Sequence, residues 1–119
     1  MGMLGRYIDG LTAEQKDRVI EAQGWTRGQV EDRKGNRCLV GHAVGGARVD
    51  NLVTHHIWMN EVWGINIGKI GERFDDLHWR FDQRLIHAIK LRAGKPQPVL
   101  QSQRQQYILQ SSHNTPAEV

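Results

Sequence analysis

The chain has 119 residues and a formal net charge of +3, with 39% hydrophobic and 24% charged residues. This length suits one domain, and the composition is typical of a globular protein. The single cysteine excludes an internal disulfide. No apolar run is long enough to cross a membrane and the first ten residues lack a signal-peptide core, so we expect a cytoplasmic protein.

The first predicted helix lies at the N-terminus. Its apolar positions have helical spacing; they are Leu4, Tyr7, Ile8 and Leu11. Gly10 weakens a connection between this segment and the next helix.

The second helix is predicted from Thr12 to Gln23. Thr12 and Gln15 form the pattern of a capping box, in which each side chain accepts a backbone N–H at the helix start. Gly24 is predicted to end the helix in a left-handed conformation, with Trp25 packing back on the last turn.

A small β-hairpin is predicted next, because the polar, glycine-containing stretch Asp32–Asn36 is flanked by short extended segments. Two strands alone are marginally stable, so the hairpin must rest on helices. Residues 38–44 are predicted as a short helix that ends at Gly45 and Gly46.

A longer helix is predicted from Asp50, as its N-cap, to Trp63, with Gly64 as its stop. Its predicted apolar side consists of Leu52, Val53, His56, Ile57, Met59, Val62 and Trp63. A short strand over residues 63–67 is the alternative, because apolar and polar residues alternate there.

The strongest helical periodicity runs from Ile67 to Ile89. Its apolar stripe recurs every three or four positions; the residues are Ile67, Ile70, Phe74, Leu77, Phe81, Leu85 and Ile89. We predict a break after Phe81, because Asp82 can cap a fresh helix that ends near Gly94.

These elements predict a mainly helical, compact domain over residues 1–93 with one short β-hairpin. Residues 94–119 contain all three prolines and most of the glutamine and serine. That composition predicts a C-terminal tail.

A family resemblance supports this architecture. Residues 24–29, 32–43 and 73–77 resemble a family of small uncharacterised proteins of bacteria and their phages, with a "GW" turn, a polar hairpin and a CxxGA-like short helix. His42 departs from the pattern. The resemblance implies the fold over about residues 12–93, and it implies no particular activity.

Cys38 and His42 lie four residues apart, so a helix would place them on one face, and His55 and His56 would complete four potential zinc ligands. Adjacent His55 and His56 point about 100° apart on a helix and cannot easily ligate one ion. A buried, inert Cys38 is favoured over a zinc ligand and over a catalytic thiolate paired with His42. We therefore expect no metal, no cofactor and no enzymatic activity.

Three carboxylates, Glu72, Asp75 and Asp76, lie close together on the predicted helix and could perform acid–base chemistry. Arg73 and His78 are interspersed with them. This mixture favours an ordinary solvated helix face.

A basic stripe is the alternative functional feature. On a continuous helix five basic residues fall within about 60° of one another; they are Lys69, Arg73, Arg80, Arg84 and His87. Such a line can follow phosphates, which predicts nucleic-acid binding as the alternative function. A break at Asp82 would divide it.

Tryptophan occurs four times, and Trp79 lies off the apolar stripe. An exposed tryptophan is an effective anchor for a protein partner. The tail residues Tyr107, Ile108 and Leu109 can also dock. We therefore predict a non-enzymatic accessory protein that binds a protein partner, or itself, through Trp79 and these tail residues.

Overall fold

The computed structural model describes residues 2–77 and 82–95. Six α-helices make up most of this part of the chain, and its only β pairing consists of two isolated bridges. The helices are α1 (Gly2–Gly10), α2 (Ala13–Glu21), α3 (Leu39–Val44), α4 (Val49–Trp63), α5 (Ile67–Leu77) and α6 (Gln83–Ala93). The predicted mainly helical fold is confirmed. None of these helices is long and apolar enough to cross a membrane.

The short helix α1 lies at the centre of the fold and packs against α4, α5 and α6. Its fully buried hydrophobic side chains are Leu4, Tyr7 and Ile8. Gly10 allows close packing on α4, because a Cβ there would lie 2.8 Å from the Trp63 ring. The Gly10 carbonyl also accepts a hydrogen bond of 2.9 Å from Trp58 Nε1. These contacts fix α1 against α4.

Helix α2 begins at the predicted capping box, but it ends before the predicted residue. In the capping box, Thr12 Oγ1 accepts a hydrogen bond from the Gln15 N–H at 3.2 Å, and Gln15 Oε1 accepts one from the Thr12 N–H at 2.9 Å. The helix stops at Glu21, and Ala22 leaves it in an extended conformation with ψ 134°. Gly24 has the predicted left-handed conformation, with φ 75°, but the helix ends three residues before it, so the prediction that Gly24 ends the helix is wrong.

The predicted hairpin is a turn held by single bridges rather than by two regular strands. Trp25 and Glu31 each pair with Arg37 in an isolated bridge. At the turn, Asp32 Oδ1 accepts a hydrogen bond of 2.9 Å from the Asn36 N–H. The Asp32 side chain thus bonds a backbone N–H that would bond to a backbone carbonyl of the facing strand in a regular hairpin.

Helix α3 forms as predicted, and Gly45 ends it in a left-handed conformation with φ 82°. The loop before it lies directly on its first turn. A Cβ on Gly41 would collide with the Val30 carbonyl oxygen, and that oxygen accepts a hydrogen bond of 3.1 Å from the Cys38 N–H. Gly41 therefore fixes the position of the loop on α3.

Helix α4 has Arg48 as its N-cap, so the prediction of Asp50 as the cap is wrong. Asp50 lies instead in the first turn, in an ion pair of 3.0 Å with Arg48. Gly64 ends the helix as predicted, with φ 65°. The alternative strand over residues 63–67 is not formed in this described segment.

The long periodic stretch consists of two helices, so the predicted break is confirmed. Helix α5 ends at Leu77, and α6 begins at Gln83. Asp82 caps α6, because its Oδ1 accepts a hydrogen bond of 2.9 Å from the Arg84 N–H. Residues 78–81 and 96–119 lie outside the described residues, and the predicted C-terminal tail stays a prediction.

Candidate functional site

Helix α4 carries apolar side chains on more than one side. Its buried residues are His55, Trp58, Met59 and Trp63. Val49, Val53 and Ile57 follow one another at four-residue spacing and so share a side of the helix. They are 74%, 51% and 40% exposed. We call these three residues the α4 row.

The predicted apolar side of α4 is wrong at three positions. Val53, His56 and Ile57 were expected to face the core, and all three are exposed. Trp58 is buried instead. Its indole N–H can be buried because it donates a hydrogen bond to the Gly10 carbonyl of α1.

A groove of about 390 Å³ opens between the loop at residues 28–30 and helices α3, α4 and α5. Its apolar lining comes from Val30, Val40, Leu52 and Ile67. Its other lining residues are Gly28, Gln29, Cys38, Gly68, Gly71, Glu72 and Asp75. We call it the Asp75 groove.

Asp75 joins the loop to α5. Its Oδ2 accepts a hydrogen bond of 2.9 Å from the Gly28 N–H. Its Oδ1 is buried and has no hydrogen-bond partner among the described residues. The prediction of an ordinary solvated face is therefore wrong at Asp75, which is half-buried, and right at Glu72 and Asp76, which are exposed.

Helix α4 contributes one residue to the lining of the Asp75 groove. Leu52 lines the groove, and Val49 lies three residues before Leu52 and four before Val53. Residues at these spacings are neighbours on a helix surface. Val49 is therefore a neighbour of Leu52, whereas Val53 and Ile57 lie about 100° and 140° round the helix from it.

Cys38 lies at the edge of the groove, at the start of α3. Burial raises the pKa of its thiol, and the negative charge of Asp75 raises it further. A raised pKa keeps the thiol protonated, and a protonated thiol is a poor nucleophile and a poor metal ligand. This chemistry favours the interpretation of Cys38 as a small buried hydrophobe.

His42 is part of the packing between α3 and the loop. Its Nε2–H donates a hydrogen bond of 2.9 Å to the Gly24 carbonyl, and burial lowers its pKa. Its ring packs on Trp25 with 4.5 Å between centroids. Trp25 also stacks on Phe74 at 5.9 Å, so it joins the loop to α3 and α5. Its predicted packing on the last turn of α2 stays a prediction.

His55 is held in the core by two hydrogen-bond partners. Its ring nitrogens lie 2.6 Å from the Tyr7 hydroxyl oxygen and 3.4 Å from Gln15 Nε2. His56 is exposed. Within residues 2–77 and 82–95, no group of three or more histidine, cysteine or acidic side chains is placed to hold a metal ion. Cys38, His42, His55 and His56 are therefore not gathered into a site.

The predicted basic stripe is divided. Lys69 and Arg73 are exposed on α5, and Arg84 and His87 are exposed on α6, whereas Arg80 lies outside the described residues. The stripe required one continuous helix, and the cap at residue 82 excludes that geometry. Arg84 is also paired with the capping carboxylate at 3.3 Å.

The predicted protein-binding residues Trp79, Tyr107, Ile108 and Leu109 lie outside the described residues, so their role stays a prediction. No family model matches the chain, and neither a curated protein nor a solved structure matches it. The resemblance to small bacterial and phage proteins also stays a prediction.

Proposed function

We propose that this protein is a non-enzymatic, cytoplasmic accessory protein of a bacterium or phage that acts by binding a protein partner. The α4 row carries the proposal. Single exposed hydrophobic residues are normal on a protein surface. Three on one side of a helix form the kind of contiguous patch that marks an interaction site.

Covering the α4 row would favour association because aliphatic groups are removed from water. Each Å² of apolar surface buried on association contributes roughly 25 cal/mol. A partner helix or extended segment laid along α4 would cover Val49, Val53 and Ile57 together, because they share one side of the helix. The row therefore fits an elongated partner segment.

The non-enzymatic part of the proposal is supported by the state of the nucleophilic and basic groups. Burial keeps the Cys38 thiol protonated, and it lowers the pKa values of His42 and His55. Both histidines already use ring nitrogens in hydrogen bonds within the fold. Cys38, His42 and His55 therefore have structural roles in the packing of the fold.

The proposal is tested by site-specific crosslinking. The full-length chain carries a photoreactive phenylalanine derivative in place of Val53, and a matched preparation carries it in place of Leu91, which is 56% exposed on α6. After illumination in a lysate of the source cells, we expect a discrete crosslinked protein from position 53 and not from position 91. Equal crosslinks at both positions would contradict the proposal.

Two variants then measure how much the α4 row contributes. Val53→Ser with Ile57→Ser is expected to weaken binding of the crosslinked protein about tenfold or more, since several buried aliphatic groups are lost. Leu91→Ser is the control and should leave binding unchanged. If the crosslinked product is a second copy of this chain, sedimentation at increasing concentration identifies self-association.

Nucleic-acid binding remains the alternative function. A duplex oligonucleotide titrated at low salt tests it, because phosphate contacts are strongly salt-dependent. Salt-dependent binding that Arg73→Glu and Arg84→Glu abolish, together with no crosslink at position 53, would favour that alternative over a protein partner. Deletion of residues 95–119 and Trp79→Ala test the predicted contacts outside the described residues.

A further inference from the structure

A cleft with a polar lining lies between the end of α2, the turn at residues 32–36 and the end of α3. Its volume is about 580 Å³, within the range of small-ligand sites. The ionisable side chains that line it are Arg18, Glu21, Arg37 and His42. With His42 neutral, two arginines and one glutamate give this lining a charge of +1. We call it the arginine cleft.

Contacts within the fold hold both arginines in place. Arg18 Nη1 donates a hydrogen bond of 3.1 Å to the Ala43 carbonyl, and Arg18 Nη2 lies 2.8 Å from Glu14 Oε1. Arg37 Nε lies 2.8 Å from Glu31 Oε1. A guanidinium offers five N–H donors, so these contacts leave donors on both side chains. A ligand therefore meets groups that are already positioned, which lowers the entropy cost of binding.

Both guanidinium groups approach one turn at the end of α3. A Cβ on Gly45 would lie 3.6 Å from Arg18 Nε, and a Cβ on Gly46 would lie 3.5 Å from Arg37 Nη2. The two glycines are adjacent, so their Cα atoms are about 3.8 Å apart. Arg18 comes from α2 and Arg37 from the loop before α3, so two cations from separate elements lie beside this turn. One anion between them can contact both.

The neighbouring charges at His42 are also positive. Burial lowers the pKa of His42, and the charges of Arg37 and Lys90 lower it further. Lys90 Nζ donates a hydrogen bond of 2.7 Å to the Ala22 carbonyl, a neutral group that does not cancel the lysine charge. The electrostatic potential at this end of the cleft is therefore positive, although Glu21 also lines it. A positive potential in a polar cleft favours an anion.

We propose that the arginine cleft binds the dianionic phosphate group of a phosphate ion or a phosphate monoester, with Arg18 and Arg37 donating to its oxygens. A carboxylate presents two oxygens in one plane and suits one guanidinium. A tetrahedral phosphate presents oxygens in several directions and suits two guanidinium groups that approach from separate elements. The lining comes from α2, the turn and α3, so this inference does not depend on the α4 row.

The test uses inorganic phosphate, phenyl phosphate and dimethyl phosphate as probes. Each is titrated into the ¹⁵N-labelled full-length protein at constant ionic strength and about pH 7.5, where phosphate monoesters are dianions. The amide signals of Gly35 and Gly45 and the Nε–H signals of Arg18 and Arg37 report binding. We expect phosphate and phenyl phosphate to bind at least about tenfold more tightly than dimethyl phosphate, which carries one charge and two ester groups. Equal affinity of the first two probes identifies a free ion as the ligand, and tighter binding of phenyl phosphate identifies a monoester.

Arg18→Gln and Arg37→Gln each remove one guanidinium and should weaken phosphate binding about tenfold. Arg33→Gln removes the same charge at an exposed position of the turn. It is the matched control and should bind phosphate as the wild type does. An unchanged spectrum away from the cleft confirms that each variant is folded.

Glu21→Gln gives a result that misfolding cannot imitate. It removes the acid from the lining and should strengthen phosphate binding about twofold to threefold, because a repulsive charge is lost. Glu61→Gln, at an exposed position of α4, is its control and should leave the affinity unchanged. Shifts that do not saturate, equal affinity for dimethyl phosphate, full affinity in both arginine variants, or weaker binding in Glu21→Gln would each overturn the assignment.

Discussion

His55 Nε2 lies 2.6 Å from the hydroxyl oxygen of Tyr7 in the buried contact between α4 and α1. Gln15 determines the direction of this hydrogen bond. Its Oε1 is used by the Thr12 N–H, so its amide NH₂ faces His55 Nδ1 at 3.4 Å. Nδ1 therefore accepts, and Nε2–H donates to Tyr7. A protonated ring would place an N–H against the Gln15 amide, so the geometry requires neutral His55.

The first prediction is that the protein loses stability as the pH falls through the mildly acidic range. Burial, with a smaller effect of His56, lowers the pKa of His55 from 6.5 to about 4. Between these two values the unfolded chain binds a proton that the folded chain does not. The free energy of unfolding therefore falls as the pH drops across this window, by up to about 3 kcal/mol, and His55 contributes no further loss below it.

Urea unfolding at several pH values from about 7.5 to about 4 measures this slope. His55→Gln removes this ring and should reduce the slope over the same window, and the slope that remains includes the contribution of buried His42, whose pKa is also lowered. His87→Gln changes an exposed histidine of α6 and should retain the slope. A wild-type profile parallel to that of His55→Gln would contradict the role of this ring.

The second prediction concerns two glycines that differ in what surrounds them. Gly41→Ala should lower the free energy of unfolding by about 2 kcal/mol or more, because the new Cβ collides with the Val30 carbonyl oxygen. Gly71→Ala in α5 places a Cβ with no heavy atom of the described residues within 4 Å. Its higher helix propensity should raise stability by up to about 1 kcal/mol. Chemical denaturation of both variants tests the contrast.

Local sequence rules predicted most helix ends because each end depends on residues within one turn. The capping box at Thr12, the left-handed glycines at 45 and 64, and the cap at Asp82 follow such rules. The prediction that Asp50 caps α4 is wrong. A cap at Asp50 would start the helix at residue 51, whereas α4 starts at Val49 with Arg48 as its N-cap.

The Asp75 groove could not be predicted by those rules. Its hydrogen bond from Gly28 to Asp75 spans 47 positions, and spacing along the chain carries no signal for that contact. The α4 row was missed for a different reason. Apolar residues occur on several sides of α4, so periodicity alone does not show which side of the helix is buried. The hydrogen bond from Trp58 to the Gly10 carbonyl of α1 identifies the buried side.

The third prediction separates surface from core on α4. Val53→Ser and Ile57→Ser should each lower the free energy of unfolding by about 1 kcal/mol or less, because the two residues are already 51% and 40% exposed. Trp58→Ala removes a side chain that is 4% exposed and should cost about 3–5 kcal/mol. Thermal and urea unfolding check this. A large loss in Val53→Ser would mean that the row is covered within the fold.

The fourth prediction concerns the ion pair between α1 and α6. Arg92 contacts both carboxylate oxygens of Asp9, with Nε to Oδ1 at 2.8 Å and Nη2 to Oδ2 at 2.5 Å. Asp9 is buried, so Arg92→Ala leaves a negative charge away from water and should cost about 2 kcal/mol, since Arg92 itself is partly exposed. Arg92→Lys keeps the charge and loses the two-point contact, so its cost should be smaller but measurable.

The control for this ion pair is Arg84→Ala, which breaks an exposed contact with Asp82 and should change stability by less than about 0.5 kcal/mol. A further variant isolates the effect of the buried charge. Asp9→Asn combined with Arg92→Ala should be more stable than Arg92→Ala alone, because the neutral amide is easier to bury. If the double variant is no more stable, the stability lost in Arg92→Ala does not come from the charge of the Asp9 carboxylate.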